Sequence, residues 1–242
     1  MTKYSEKTLP LGTFSLMNLT LYFISGLGAD KRVFQKLKLP AEYKIVYIEW
    51  ITPLPDESLA TYAKRLSAVI DVSQPFALIG VSMGGMISLE ISKFIKPELV
   101  ILISSIKGDH DLPWYFRMAG AFQLDKFIPG AALNTPASLA YFVGTNDTEG
   151  KKLIADIARD ADPVFVKWAM RAIIDWKNDY LPPHLYHIHG SEDKVLPVHF
   201  TNPDVILEGG QHLMVYSMAD KVSELITREL REVTESSNKN QA

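Results

Sequence analysis

The sequence predicts an α/β fold, a mostly parallel sheet flanked by helices. Three observations carry this: short apolar runs rich in β-branched and aromatic residues recur, helical stretches separate them, and the alternation stops only once. The runs are Leu19 to Ile24, Ile45 to Ile48, Phe76 to Val81, Leu99 to Ser104, Leu185 to His189 and Val205 to Leu207. Continuous apolar runs of this kind read as strands covered on both faces, which is how parallel sheets are built. Between the second and third runs, Ser58 to Val72 places apolar residues at 59, 62, 63, 66, 69 and 70. That spacing is one stripe of a helix, with Asp56 and Ser58 as candidate caps. Met83 to Ile95 and Tyr216 to Val233 repeat the helical pattern.

The alternation stops from Lys107 to Pro183, where Trp, Phe and Met recur among Ala, Asp and Lys without a strand pattern. This reads as a helical insertion over 107–183, dividing the sheet-forming domain into 1–106 and 184–242. Pro182-Pro183 marks the return, because proline ends helices. Ser236 to Ala242 is polar and expected to fray.

A chain of 242 residues suits one core-bearing domain with a sizeable insertion. The net charge of −3 and the lack of a basic stripe argue against nucleic acid and stable membrane association. A small neutral molecule is the expected partner, and oligomeric state has no signature in the sequence. The absence of cysteine rules out disulfides, thiolate nucleophiles and Cys-ligated metals. MTKYSEKTLP at the start lacks the apolar centre of a signal peptide, and the longest aliphatic run, Leu99 to Ile103, falls far short of the roughly 20 residues of a membrane span. The expected location is cytoplasmic.

Gly80-Val81-Ser82-Met83-Gly84 matches G-x-S-x-G, and its setting matters more than the match. An apolar strand runs into Ser82 and a helical segment leaves it, the strand–turn–helix that projects a nucleophilic hydroxyl from a tight turn. Side chains at 80 and 84 would collide with neighbouring backbone there. A serine nucleophile needs a base, and the base an orienting carboxylate. His212 follows the strand ending at Leu207 through Gly209-Gly210-Gln211 and is the expected base. Asp193 follows the strand ending at His189 through Gly190-Ser191-Glu192 and is the expected acid, with Glu192 and Asp109 in reserve. Backbone N–H groups of Met83 and Leu27 are the expected oxyanion donors, Leu27 lying in the glycine-containing loop Ser25 to Asp30. That loop lacks the full spacing and ribose-binding acid of a dinucleotide site. His184, His187 and His189 are a poor zinc set, since their spacing along a strand does not converge the rings.

SGLGAD at 25–30, GVSMGG at 80–85, HGSED at 189–193 and GGQH at 209–212 together resemble the α/β-hydrolase superfamily over residues 19–236. The resemblance implies an eight-stranded, mostly parallel sheet, with Ser82, Asp193 and His212 on successive loops in the family's order. It also implies a helical cap inserted after the sixth strand, where 107–183 falls. Two departures stand out. Ser25 occupies the place where the family often has histidine before the oxyanion-loop glycine. Only about 18 residues precede the first run, too few for two full strands, so the N-terminal hairpin is expected to be reduced or absent.

The implied activity is that of a serine hydrolase, carboxylesterase-like, cleaving an ester-type bond of a small apolar substrate through an acyl-enzyme. No metal or organic cofactor is required, and a serine nucleophile argues against members that displace halide with aspartate. Trp114, Phe116, Phe122, Trp168 and Trp176 are candidate lining residues of an apolar pocket, although each has core packing as a competing reading. The alternatives are a triad-bearing ligand receptor with slow turnover, or an enzyme using the same residues on C–C, thioester, peptide or cyanohydrin bonds.

Overall fold

The computed structural model describes residues 19–121, 144 and 148–239. Six strands form one sheet: β1 (Thr20–Ile24), β2 (Lys44–Ile48), β3 (Phe76–Val81), β4 (Leu99–Ile103), β5 (Leu185–Gly190) and β6 (Val205–Leu207). Their order is β2-β1-β3-β4-β5-β6, and every pairing is parallel. Two of the eight strands expected from the resemblance would precede Leu19, outside the described residues.

Period-two alternation splits the sheet's side chains between two cores. Tyr22, Ile24, Leu78 and Leu102 face one side, together with helices α1 (Leu59–Leu66) and α2 (Met83–Ser92). Leu21, Phe23, Ile79 and Ile101 face the other, against α6 (Met214–Ser217) and α7 (Ala219–Lys239). β1, β3 and β4 are buried throughout, as their unbroken apolar runs require. β2 and β6 depart from the buried reading. They are the outer strands among the described residues, and Ile45, Tyr47 and Ile206 on them are exposed.

Helix ends also differ from the periodicity. α1 starts where expected, with Ser58 Oγ accepting from Thr61 N–H, but gives way at Ser67 to a 3-10 turn. Its stripe is lost there: Val69 and Val72 are exposed, and only Ile70 stays buried. The C-terminal segment is two helices, with a break at Met218, and the second runs through Lys239 where fraying was expected.

Among the described residues, 107–183 contributes no strand. It contains a 3-10 turn at Asp109–Asp111 and helices α3 (Trp114–Ala121), α4 (Thr148–Asp160) and α5 (Pro163–Asp175). Asp162 caps α5 by accepting from Val164 N–H, with Pro163 at its first position. The apolar faces of these helices enter the cores of the sheet: Leu153 and Ile154 of α4 join one, Phe165, Ala169 and Ala172 of α5 the other. Among the described residues no helix is long and apolar enough to cross a membrane.

Candidate active site

All three predicted side chains lie just beyond the C-terminal ends of parallel strands, where α/β folds gather their loops. Ser82 sits between β3 and α2 at φ 54°, ψ −121°, a conformation L-residues rarely adopt. Crowding enforces it. A Cβ on Gly80 would lie 2.3 Å from the Gly84 carbonyl oxygen, and one on Gly84 would lie 2.1 Å from the Ile24 oxygen. Ser82 N–H donates to the Ile103 carbonyl (3.0 Å), and its own carbonyl accepts from Gly85 N–H (2.9 Å) and Ser105 Oγ (2.7 Å). The turn is therefore tied to the end of β4, and Oγ is left free to project.

His212 Nε2 lies 3.1 Å from Ser82 Oγ, and its Nδ1 lies 2.8 Å from Asp193 Oδ2. The loops carrying the two residues are stitched together: Glu192 N–H donates to Gly210 C=O (2.8 Å), Ser191 N–H to Leu207 C=O (3.0 Å) and Gly209 N–H to Ser191 Oγ (2.9 Å). Asp193 is 3% exposed. Burial alone would raise its pKa, but the charge of His212, hydrogen bonds from His189 and His212, and the Leu196 N–H hold the carboxyl well below the usual carboxylate range. An ionised Oδ2 facing Nδ1 requires the hydrogen on Nδ1, which leaves Nε2 with a lone pair to accept from the Ser82 hydroxyl. A hydroxyl in that setting can lose its proton to Nε2 as it attacks an electrophile.

The reserve acid Asp109 is engaged elsewhere: Lys177 Nζ donates to its Oδ2 at 2.7 Å, and that contact lowers its pKa. Beside the turn, Gly26 passes so close to Ser82 that a Cβ there would lie 3.3 Å from the serine Cβ. Ser25, in place of histidine, holds this loop by donating from Oγ to Ala29 C=O (2.8 Å); Trp50 Nε1–H reaches the same oxygen (2.7 Å), and Ala29 N–H closes onto Gly26 C=O (3.0 Å). Leu27 N–H takes part in none of these bonds, and Met83 N–H in none of those that tie down the Ser82 turn. Arg32 ties the loop outward, pairing with Asp30 (2.6 Å) and with Asp160 at the end of α4 (2.9 Å).

The predicted lining residues separate. Trp176 is buried in the core, its Nε1–H donating to Glu90 Oε1 at 2.7 Å. Trp168 packs at a tilt 4.4 Å from Tyr62 and donates to Glu57 C=O at 2.8 Å. Both line a groove of about 1370 Å³ whose walls include none of Ser82, Asp193 and His212. Their indole N–H groups need acceptors, which Glu57, ahead of α1, and Glu90 of α2 supply. Trp114 is exposed at the start of α3, Phe116 packs against the core, and Phe122 lies outside the described residues. Between Trp114 and Phe116 on α3, Tyr115 meets the ring of Phe200 edge-on at 6.3 Å. Its pKa is raised, by partial burial first and by the negative charge of Asp193 second. Tyr115 itself is exposed, and of the run Trp114 to Phe116 it is Phe116 that packs against the core.

Among the described residues, no group of three or more His, Asp or Glu side chains is arranged to hold a metal ion. The alpha/beta hydrolase family model matches residues 21–225, and the chain belongs to that family. It is similar in fold to a thermophilic esterase from Thermogutta terrifontis, at 16% identity over 89% of this chain and 90% of that one, TM-score 0.71. It is also similar to a lipase-esterase related protein from Clostridium acetobutylicum (17%, 87% and 93%, TM-score 0.66). A third similar structure is a thioesterase of the prodiginine biosynthetic pathway in Streptomyces coelicolor (14%, 87% and 90%, TM-score 0.61). At these identities the likeness is one of fold. No curated protein matches the sequence.

Proposed function

We propose that the chain is a serine hydrolase that cleaves an ester-type bond of a small apolar molecule through an acyl-enzyme on Ser82. The observation that carries this reading is the unbroken series Ser82 Oγ, His212, Asp193 at 3.1 and 2.8 Å, anchored on a residue held at positive φ. Ser82 attacks the carbonyl as His212 Nε2 takes its proton. The same imidazolium then protonates the leaving group, and Asp193 stabilises its charge and keeps its tautomer. Leu27 and Met83 N–H groups receive the developing oxyanion, the first held in place by the Ser25 and Trp50 bonds to Ala29. Water, activated by His212, releases the acyl group. The described helices of the 107–183 insertion act as a cap, with Trp114, Tyr115 and Phe116 carried on α3. The esterase and thioesterase neighbours support acyl transfer as the reaction class.

The test is turnover of a short p-nitrophenyl ester by wild type and Ser82→Ala. Wild type is expected to release many equivalents of p-nitrophenol per protein, and the alanine variant on the order of 10⁶-fold less per unit time. Release that stops near one equivalent would instead favour a ligand receptor. A variant as active as wild type would refute the assignment.

A further inference from the structure

Two further imidazoles lie buried behind Asp193. The alternation of β5 puts His187 and His189 on one face of the sheet, and both are 0% exposed. Each costs free energy to bury unless its ring nitrogens find partners. His189 Nε2 lies 2.7 Å from Leu196 C=O and 3.4 Å from Asp193 Oδ2. Neither oxygen carries a hydrogen, so Nε2 must. On the other side of the ring, His189 Nδ1 lies 3.1 Å from His187 Nε2. Burial, with His189 and Lys107 close by, pushes the His187 pKa down to about 3, so that ring is neutral. A hydrogen on His187 Nε2 donates to His189 Nδ1 and leaves only a bare Nδ1 without a partner. The opposite arrangement would leave Nε2 bare against His189 Nδ1 and force a second proton onto His189.

The chain of contacts ends at the carboxylate that orients His212. Asp193 Oδ1 accepts from Val195 N–H (2.9 Å) and Leu196 N–H (2.8 Å), and the Leu196 carbonyl is in turn held by His189. Oδ2 then faces two imidazoles, His212 at 2.8 Å and His189 at 3.4 Å. We propose that His189 is a positioning residue for Asp193, its tautomer set by His187, an inference that rests on the hydrolase reading above. Its Nε2–H fixes the loop from Asp193 to Leu196 and withdraws negative charge from the oxygen that receives His212. Without that hydrogen, Oδ2 is a stronger acceptor and His212 holds a proton more tightly. The other titratable groups around this cluster are Lys107 beyond β4, Tyr115 on α3 and Asp204, which accepts from His187 N–H at 2.7 Å. None is altered by the variants below.

The test compares wild type with His189→Gln, which keeps a donor near the Nε2 position, and His189→Leu, which removes it. His189→Asn, polar but too short, stands in for leucine should that variant not fold. The measurement is ester hydrolysis as a function of pH, with kcat and KM separated. His189→Leu or His189→Asn is expected to lose about ten-fold in kcat with little change in KM, the worth of one charge-assisted hydrogen bond. Its acid limb of kcat/KM moves to higher pH. His189→Gln is expected to keep the wild-type limb and most of the rate. Equal losses in all variants with coincident limbs would show that His189 only fills space, and would overturn the proposal. Failure of wild type itself to turn over ester or to react with a fluorophosphonate would refute the hydrolase reading instead.

Discussion

Asp193→Asn is expected to lower kcat by on the order of 10⁴-fold while leaving the fold intact, as removal of the orienting carboxylate does in other serine triads. The direction of the amide follows from the geometry. Two backbone N–H groups, from Val195 and Leu196, point at Oδ1, so the asparagine oxygen must take that position. Its NH₂ group then occupies the place of Oδ2, facing His212 Nδ1 at 2.8 Å. A donor there forces Nδ1 to become the acceptor and moves the ring hydrogen to Nε2, which can no longer take the proton of Ser82. Binding surfaces are untouched, so KM should change little. The measurement is steady-state ester hydrolysis with a thermal melt as the folding control. A loss below about ten-fold would mean that Asp193 does not orient the base. An equivalent loss in Asp109→Asn would point to the loop after β4, against the observed pairing of Asp109 with Lys177.

The second large effect is structural. Gly84→Ala is expected to destabilise the protein by at least about 3 kcal/mol, the upper end of ordinary overpacking, because the new methyl meets backbone and not a movable side chain. The Cβ would lie 2.1 Å from the Ile24 oxygen and 2.4 Å from the Ser25 oxygen. Relief requires β1's exit to retreat from α2, carrying Ser25 to Ala29 with it, so ester turnover falls along with stability. Gly209→Ala is the milder comparison, with open space around it but φ at 73°, at about 1–2 kcal/mol. Urea unfolding of both variants checks the ranking. A Gly84→Ala protein within 1 kcal/mol of wild type would contradict the packing around the turn.

The parts of the site carried by short motifs were legible in the sequence because those motifs sit where strands end. Ser82, Asp193 and His212 each follow an apolar run through a glycine-containing stretch, and parallel pairing then brings the three strand ends to one edge. The aromatic lining was not legible. Trp168 and Trp176 lie on or just after a helix that can turn any face inward, and their indole N–H groups found acceptors at Glu57 and Glu90, residues distant in sequence. The paired histidines of β5 were visible as residues of a strand. Their linkage to Asp193 depends on the backbone path from 193 to 196, which only coordinates supply.

The most direct test of Ser82 as an activated nucleophile is mass spectrometry after reaction with a fluorophosphonate. Attack by Ser82 Oγ on phosphorus forms the O–P bond and expels fluoride, while His212 takes the hydroxyl proton. The expected result is one phosphonyl adduct per chain, located at Ser82, absent in Ser82→Ala and formed far more slowly in His212→Ala. An unlabelled wild type, or an adduct of equal extent in Ser82→Ala, would contradict the assignment.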